Sequence, residues 1–287
     1  MRVGGQAVVE GVLMIAKRAV IAVRKNDGDI VVEEIGNVPK RRYSKIPLLR
    51  GIINLYYTLL LGLKALNRSV EIVSEEEMST WDKSITFITA LGLAVGLFFL
   101  LPMFLVNLLK PLRENEFLFS LVEGSIRIAF FLIYVWIISL FKDVKRLFQY
   151  HGAEHKTIHA YEKGMELNVE NVKRFSTIHP RCGTNFLMIF LISSVLLFSV
   201  LSLFFEPTLT YRIVSRVVAI PLIASISYEI LRGLERLPKG LMRVLAFPGL
   251  ALQLLTTAEP DVDQIEVAIE SLKNALSGEG EGTDIMA

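Results

Sequence analysis

The stretch SITFITALGLAVGLFFLLPMFLVNLL, residues 84–109, decides the fold. It contains no charged residue, and about 20 apolar residues in a helix are enough to cross the roughly 30 Å hydrocarbon core of a bilayer. A second uncharged apolar run occupies residues 186–205. Both runs are therefore predicted to be transmembrane helices.

Two further runs reach the same length but contain ionisable residues. Residues 117–141 include Glu123 and Arg127, which lie four positions apart and can neutralise each other on a helix. Residues 213–231 include Arg216 and, near the end, Glu229. The chain is thus predicted to be mainly α, a polytopic α-helical membrane protein with about four transmembrane helices.

The composition agrees with this fold class. Hydrophobic residues make up 52% of the 287 positions and charged residues 21%, and the mean hydropathy is +0.48. Soluble domains are less apolar and more highly charged. The net charge of +2 gives no electrostatic reason to expect a nucleic-acid partner. A single cysteine, Cys182, excludes an intramolecular disulfide.

Lysine and arginine residues concentrate before the first span, at 142–181 and at 232–243, whereas the alternate loops are short. The positive-inside rule therefore predicts a multi-pass protein of the cytoplasmic membrane, with both termini and the central loop in the cytoplasm. The lipid bilayer is its expected partner. The oligomeric state is left open.

The segments outside the spans have weaker patterns. Two β-prone runs, 18–23 and 30–35, flank the turn formers at 25–29 and predict a hairpin. The predicted organisation is a small cytoplasmic N-terminal part with a β-hairpin (1–45), an amphipathic or interfacial helix (46–83), two transmembrane helices (84–141), a cytoplasmic His/Cys loop (142–185), two transmembrane helices (186–231), an interfacial or re-entrant segment (232–258), and an acidic helix with a frayed tail (259–287).

All four histidines lie in the central loop. His151, Glu154 and His155 form H-x-x-E-H, the inverse of the common zinc-protease pattern, within a run at 150–164 that can be helical. Two histidines one turn apart can bind one zinc ion, and the glutamate can act on water. The sequence therefore predicts a divalent metal site, with zinc the expected ion and Glu154 the catalytic residue.

The remaining ligands are less determined. His151 and His159 would be roughly 12 Å apart along a helix, too far to share one ion. His179 or Cys182 is expected to complete the set, and Glu162, on the same helical arc as His151, is a further possibility.

Simpler interpretations stay open for several of these residues. The histidines could line the polar face of a helix beside the membrane, and Cys182 could be a buried thiol or part of a Cys–His nucleophilic pair. Glu229 is a site candidate because ionisable residues within spans are usually functional, but it could also snorkel or pair with Arg232.

Several motifs together resemble one family. GGQAVVEGVLM at 4–14, YHGAEHKTIHAYE at 150–162, HPRCGTNF at 179–186, SYE at 227–229 and LTTAEPDVDQIEVAI at 255–269 are similar to the YqhQ-like bacterial integral membrane proteins. That family is regarded as predicted metal-dependent enzymes without an established activity. The resemblance implies a multi-pass membrane protein with a metal site, and the residues it implies for that site are Gly5, Gln6, Glu10, His151, Glu154, His155, His179, Cys182 and Glu229.

The leading hypothesis is a membrane-embedded metal-dependent enzyme, most simply a hydrolase, acting on a lipid head group or a membrane-proximal peptide. The alternative is a metal-binding membrane protein without catalysis, such as a transporter, accessory protein or scaffold. Transport would require polar groups within the spans, and the first and third have almost none. That observation favours the enzyme.

Overall fold

The computed structural model describes residues 3–36, 46–77, 79–109, 115–204, 208–234 and 236–277. The frayed tail expected at the end of the chain, from residue 278 onward, lies outside these ranges. The chain is mainly helical, with four helices long and apolar enough to cross a membrane and a small sheet at its N-terminal end.

The sheet has four antiparallel strands in the order β1-β2-β3-β4. The predicted hairpin is confirmed as β3 (Ala19–Arg24) paired with β4 (Ile30–Gly36). Two further strands, β1 (Gly4–Val8) and β2 (Gly11–Ile15), precede it and were not predicted. The glycines of β1 are poor strand formers, and β2 is buried on both faces, so neither has the alternating pattern of a half-exposed strand.

Helices cover both faces of the sheet. On one face, α1 (Leu49–Ser74) packs through residues such as Leu61 and Ala65. On the other face lie α5 (Lys142–Glu162) and α10 (Val262–Leu276), which share a core with β2 and β3. This three-layer arrangement buries nearly all of β2 and β3.

The four predicted spans are confirmed as apolar helices of spanning length. The first is one helix in three parts, α2 (Thr80–Val95), a π-helical turn (Gly96–Leu100) and α3 (Leu101–Asn107); the others are α4 (Glu116–Ser139), α7 (Gly183–Leu201) and α8 (Leu209–Leu234). Helices that cross a membrane in succession alternate in direction. The first and third spans would therefore begin on the same side of the membrane as that on which the second and fourth end.

The charged residues within the spans pair with one another. Glu123 forms ion pairs with Arg127, as predicted, and also with Arg216 from α8. Arg127 Nε donates a hydrogen bond of 2.8 Å to the carbonyl oxygen of Phe98, in the π-helical turn. Buried charges in a membrane require such partners, and this network ties three spans together.

The remaining segments complete the connection between spans and sheet. The apolar run expected to be interfacial or re-entrant at 232–258 contains one continuous helix, α9 (Lys239–Thr256), which contacts α7 and α4. The short helix α6 (Val169–Lys173) follows α5. The N-terminal part of α1 contacts α8, so α1 links the membrane helices to the sheet.

Candidate metal centre

Helix α5 carries three of the four histidines on successive turns, and most of the run from Tyr150 to Ala160 is buried. The helix lies very close to the segment after α9, because a Cβ atom on Gly152 would stand only 2.1 Å from the carbonyl oxygen of Ala258. A glycine is therefore needed at this contact. This close approach brings the Thr256 carbonyl, at the end of α9, within reach of the His151 side chain.

The first set of ligand atoms, which we call the deep group, comprises His151, His155 and Cys182. One ligand atom from each lies within 4.8 Å of the others. His151 Nε2 is 3.2 Å from Cys182 Sγ, and the imidazole rings of His151 and His155 are 4.4 Å apart. Cys182 is the N-cap of α7, so the fold brings the start of the third span to the middle of α5.

Backbone carbonyls fix the orientation of both deep histidines. His151 Nδ1 lies 2.8 Å from the carbonyl oxygen of Thr256, and His155 Nδ1 contacts that of Thr177. Because a carbonyl only accepts hydrogen bonds, each Nδ1 carries the proton and each Nε2 presents a lone pair. Metal-binding histidines are oriented in this way. The Nε2 atom of His155 is buried and has no hydrogen-bond partner among the described residues.

Glu154 lies beside this group and is 2% exposed. Its Oε2 atom is buried without a hydrogen-bond partner among the described residues. Burial raises the pKa of the Glu154 carboxyl to about 8, with His151 opposing the shift and Cys182 adding to it. Strand β1 lies close to this side chain: a Cβ atom added to Gly5 would be only 2.9 Å from the nearest atoms of Glu154.

The electrostatics favour the ligand forms of the other side chains. Burial lowers the pKa of His155 and favours its neutral form, although the neighbouring Cys182 opposes this shift. Burial alone would raise the pKa of the Cys182 thiol, but His155 and hydrogen bonds from Thr184 outweigh it, and the pKa falls below its ordinary value. Neutral imidazole and thiolate are the forms that bind a metal ion.

The second set, the outer group, comprises His159, Glu162 and His179, whose ligand atoms also lie within 4.8 Å of one another. Most of these atoms already have partners. His159 Nε2 donates to the carbonyl oxygen of Ile178 at 2.9 Å, and His179 Nε2 lies 3.4 Å from Glu162 Oε2. Glu162 also forms an ion pair with Arg181.

The deep group opens onto a cavity of about 280 Å³. His151, Glu154 and Cys182 form one wall, and residues 5–7 of β1 form another. Thr58 of α1 and the first residues of α7 also line it. The cavity therefore lies where the sheet meets the ends of the membrane helices.

The structure resolves which residues share a centre. Of the two alternatives for the third ligand, Cys182 lies with His151 and His155, whereas His179 belongs to the outer group. Glu162, expected on the same helical arc as His151, also lies in the outer group. His179 and Cys182, at the two ends of one turn, thus belong to different groups.

Three other expected site residues lie apart from the ligand atoms. Gln6 lines the cavity, but its side-chain oxygen packs against Gly62 of α1. Glu10 forms an ion pair with Arg146. For Glu229, the alternative to a site role was snorkelling or an ion pair with Arg232; in the structure the guanidinium of Arg50, from α1, binds the Glu229 carboxylate bidentately.

Sequence reasoning missed Gln253, a buried residue of α9. Its side-chain oxygen accepts a 2.8 Å hydrogen bond from the His179 amide, and its Nε2 donates to the His179 carbonyl at 2.9 Å. The available signal was a lone glutamine in an apolar run. Gln253 fixes the main chain of the turn that carries His179 and Cys182.

Comparisons with known proteins place the chain in a family. Residues 46–278 match the family described as "Protein of unknown function (DUF1385)". The chain is 36% identical over 300 aligned positions to "Uncharacterized protein YqhQ" of Bacillus subtilis (strain 168), an alignment that covers 95% of this chain and 92% of that protein. No solved structure matches the chain significantly. The chain therefore belongs to the DUF1385 family, as a YqhQ-like membrane protein.

Proposed function

We propose that this protein is a metal-dependent hydrolase whose centre is the deep group. The carrying observation is the convergence of ligand atoms from His151, His155 and Cys182 beside the buried Oε2 atom of Glu154, which has no hydrogen-bond partner among the described residues. Two imidazoles held by backbone carbonyls and one thiol are a ligand set that suits zinc. The orphaned Nε2 atom of His155 fits the same interpretation, because a buried acceptor without a partner is costly.

In this proposal His151, His155 and Cys182 hold the ion. A divalent ion bound there would polarise a substrate carbonyl or ester oxygen and lower the pKa of water. Glu154 lines the cavity; a cation bound beside it would lower its pKa, and the resulting carboxylate takes a proton from water. The walls of the cavity restrict access of bulk solvent to the same carboxylate.

The charge distribution supports a cytoplasm-facing centre. Lysine and arginine residues concentrate on the side of the spans where α5 lies. We propose that the centre faces the cytoplasm in the cytoplasmic membrane, with both termini on that side. A reporter fused after α3, compared with one fused between α5 and α7, tests this orientation.

A second function, metal binding without catalysis, is favoured by the burial of Glu154. A carboxylate that is 2% exposed could be a fourth ligand and close the site. In that case a Glu154→Gln variant would bind the ion more weakly. In the hydrolase it keeps the ion and loses turnover.

The first experiment is metal analysis of the detergent-purified protein by mass spectrometry. We expect about one zinc per chain in the wild type and a loss of most of it in the His151→Ala/His155→Ala variant. The matched control is His159→Ala, which removes a histidine one turn further along α5 and should keep the zinc. A wild type that holds no metal and takes none up on reconstitution overturns the proposal.

The second experiment measures hydrolysis of peptides and phospholipids by the zinc-loaded protein. Loss of a general base typically costs a factor of about 10² to 10⁴ in rate. We therefore expect Glu154→Gln to keep its zinc and to lose at least about a hundredfold in kcat. Equal turnover in the two proteins would exclude the catalytic role of Glu154.

A further inference from the structure

Strand β1 is an edge of the sheet, because it pairs only with β2. The two strands are joined by the two-residue turn Val9-Glu10, and Val8 pairs with Gly11 across it. The pair that closes such a turn is hydrogen-bonded, and hydrogen-bonded pairs alternate along an antiparallel ladder. The main-chain groups of Gly5 and Ala7 therefore point away from β2.

This free edge has no partner within the described part of the chain. None of those residues hydrogen-bonds to the outward-facing main-chain groups of Gly5 or Ala7. At the end of the strand, by contrast, the Val9 amide donates to Ser69 Oγ of α1 at 3.2 Å. Gly5 is buried, and buried peptide groups are almost always paired. The edge thus offers two sets of donors and acceptors about 7 Å apart, the two-residue repeat of a strand.

The cavity of the deep group runs along the same edge. Gly5 and Ala7 line it together with His151, Glu154 and Cys182. A chain that paired with β1 would lie in this cavity. Its main chain would pass directly beside the Glu154 carboxylate, which already approaches Gly5 closely.

We propose that the substrate is an extended peptide segment that adds as a strand to the free edge of β1. This inference rests on the proposed hydrolase function and names its substrate class. Strand addition satisfies the main-chain groups of Gly5 and Ala7, and it holds one peptide carbonyl beside the deep group. A lipid acyl chain has no groups that could pair with these amides.

The reaction is then peptide-bond hydrolysis. The oxygen of water bonds to the carbonyl carbon while Glu154 takes one of its protons. The carbon–nitrogen bond breaks, and that proton passes to the leaving nitrogen, which becomes the new amine. The products are one carboxylic acid, which keeps the second proton of the water, and one amine; transfer of that proton to the amine gives carboxylate and ammonium, so no further reactant is required.

The test is a binding measurement by isothermal titration calorimetry on the full chain in detergent micelles, loaded with zinc. Three probes are compared: acetohydroxamate, which supplies only the metal-binding group, acetyl-Ala-Leu-Ala hydroxamate, which adds an extended main chain, and octanohydroxamate, which adds an acyl chain. We expect the peptide hydroxamate to bind at least tenfold more tightly than acetohydroxamate. N-methylation of its leucine amide should remove most of that gain.

Ala7→Pro removes one outward N–H group from β1 and leaves its pairing with β2 intact, and proline is tolerated on edge strands in this position. We expect it to weaken the peptide hydroxamate at least fivefold and to leave acetohydroxamate unchanged. The matched control Ala7→Ser keeps the N–H group and should bind within twofold of the wild type.

The outcomes separate the two proposals. The peptide inference is overturned, and the hydrolase proposal stands, if acetohydroxamate binds and the peptide hydroxamate binds no more tightly. The same conclusion follows if octanohydroxamate binds most tightly and its affinity is unaffected by Ala7→Pro. If the protein holds no zinc, the hydrolase proposal fails, and strand addition is then tested by itself with acetyl-Ala-Leu-Ala amide, the same peptide without the hydroxamate group. A dissociation constant raised at least fivefold by Ala7→Pro supports strand addition, and an unchanged or unmeasurable one overturns it.

Discussion

The deep group and the outer group occupy neighbouring turns of the same helix and contain similar ligand atoms, but their surroundings differ. His155 Nε2 in the deep group, and Glu154 Oε2 beside it, are buried without hydrogen-bond partners among the described residues. In the outer group, His159 Nε2 binds a backbone carbonyl, and Arg181 neutralises Glu162. The comparison shows that residue type and spacing are not enough to identify a metal site. The deep group differs in that one ligand atom, His155 Nε2, is buried without a hydrogen-bond partner in the described part of the chain.

The largest expected effect separates the two residues between which the sequence could not choose. Cys182→Ala should raise the zinc dissociation constant about a hundredfold or more, because loss of a ligand exceeds the 10–100-fold cost of losing a supporting contact. His179→Ala should change it less than threefold. Competition with a chromophoric chelator measures both constants. A larger effect from His179→Ala would reverse the assignment of the two groups.

Glu154 gives the next effect, on the stability of the metal-free protein. Its pKa of about 8 in the folded state lies above the ordinary value of 4.5, so the folded state binds the proton more tightly. Stability should therefore fall as the pH rises from about 4.5 to 8, by on the order of 3 kcal/mol at pH 7.

Glu154→Gln removes this dependence, because the amide does not ionise. In chelator-treated samples its melting temperature should exceed that of the wild type at pH 8 and match it at pH 4. The control Glu162→Gln, in the outer group, should show no such gain. If the melting temperatures of the Glu154→Gln protein and the wild type changed equally with pH, the raised pKa of Glu154 would be contradicted.

A smaller effect is expected from Arg181, whose removal should make the two groups more alike. Arg181→Ala removes the cation beside Glu162 and His179, so the outer group should bind a second zinc ion weakly. Equilibrium dialysis should show more than one zinc per chain in this variant. Arg181→Lys keeps the positive charge and should stay near one. A stoichiometry unaffected by charge would mean that Arg181 does not exclude the ion.

The smallest effect concerns Glu33, a carboxylate in an ion pair. Its pKa is lowered, whereas that of Glu154 is raised. A hydrogen bond from Arg68 lowers the pKa of Glu33, so its stabilisation is present above its ordinary pKa and is lost as the pH falls through the lowered value. Because the pair is partly exposed, Arg68→Ala should cost less than about 1 kcal/mol at pH 7. In denaturation experiments the difference between the two proteins should shrink as the pH falls below 4.5.

The sequence predicts the membrane part of this fold well, for a simple physical reason. An uncharged run such as residues 84–109 has few alternatives to crossing the bilayer. The pairing of Glu123 with Arg127 also followed from helical spacing alone, whereas the addition of Arg216 depends on how α8 packs. Strands β1 and β2 were missed because their burial comes from helices distant in sequence.

The candidate site shows the same division. Helical spacing placed His151, Glu154 and His155 together correctly, because all three belong to one helix. The choice between His179 and Cys182 depends on the path of the turn that contains both. That path is fixed by Gln253 from α9, and no local pattern records such a contact.

The packing of α10 against the sheet has a consequence for the timing of synthesis. The Ser271 hydroxyl lies 3.0 Å from the carbonyl oxygens of both Val12 and Val20, and 259 positions separate it from Val12. The ribosome therefore releases β1 and β2 long before the helix that covers them, while the intervening spans enter the membrane. A nascent chain already contains the histidines and the thiol before this cover exists, so the core between the sheet and α10 forms only after the C-terminal helix has been synthesised.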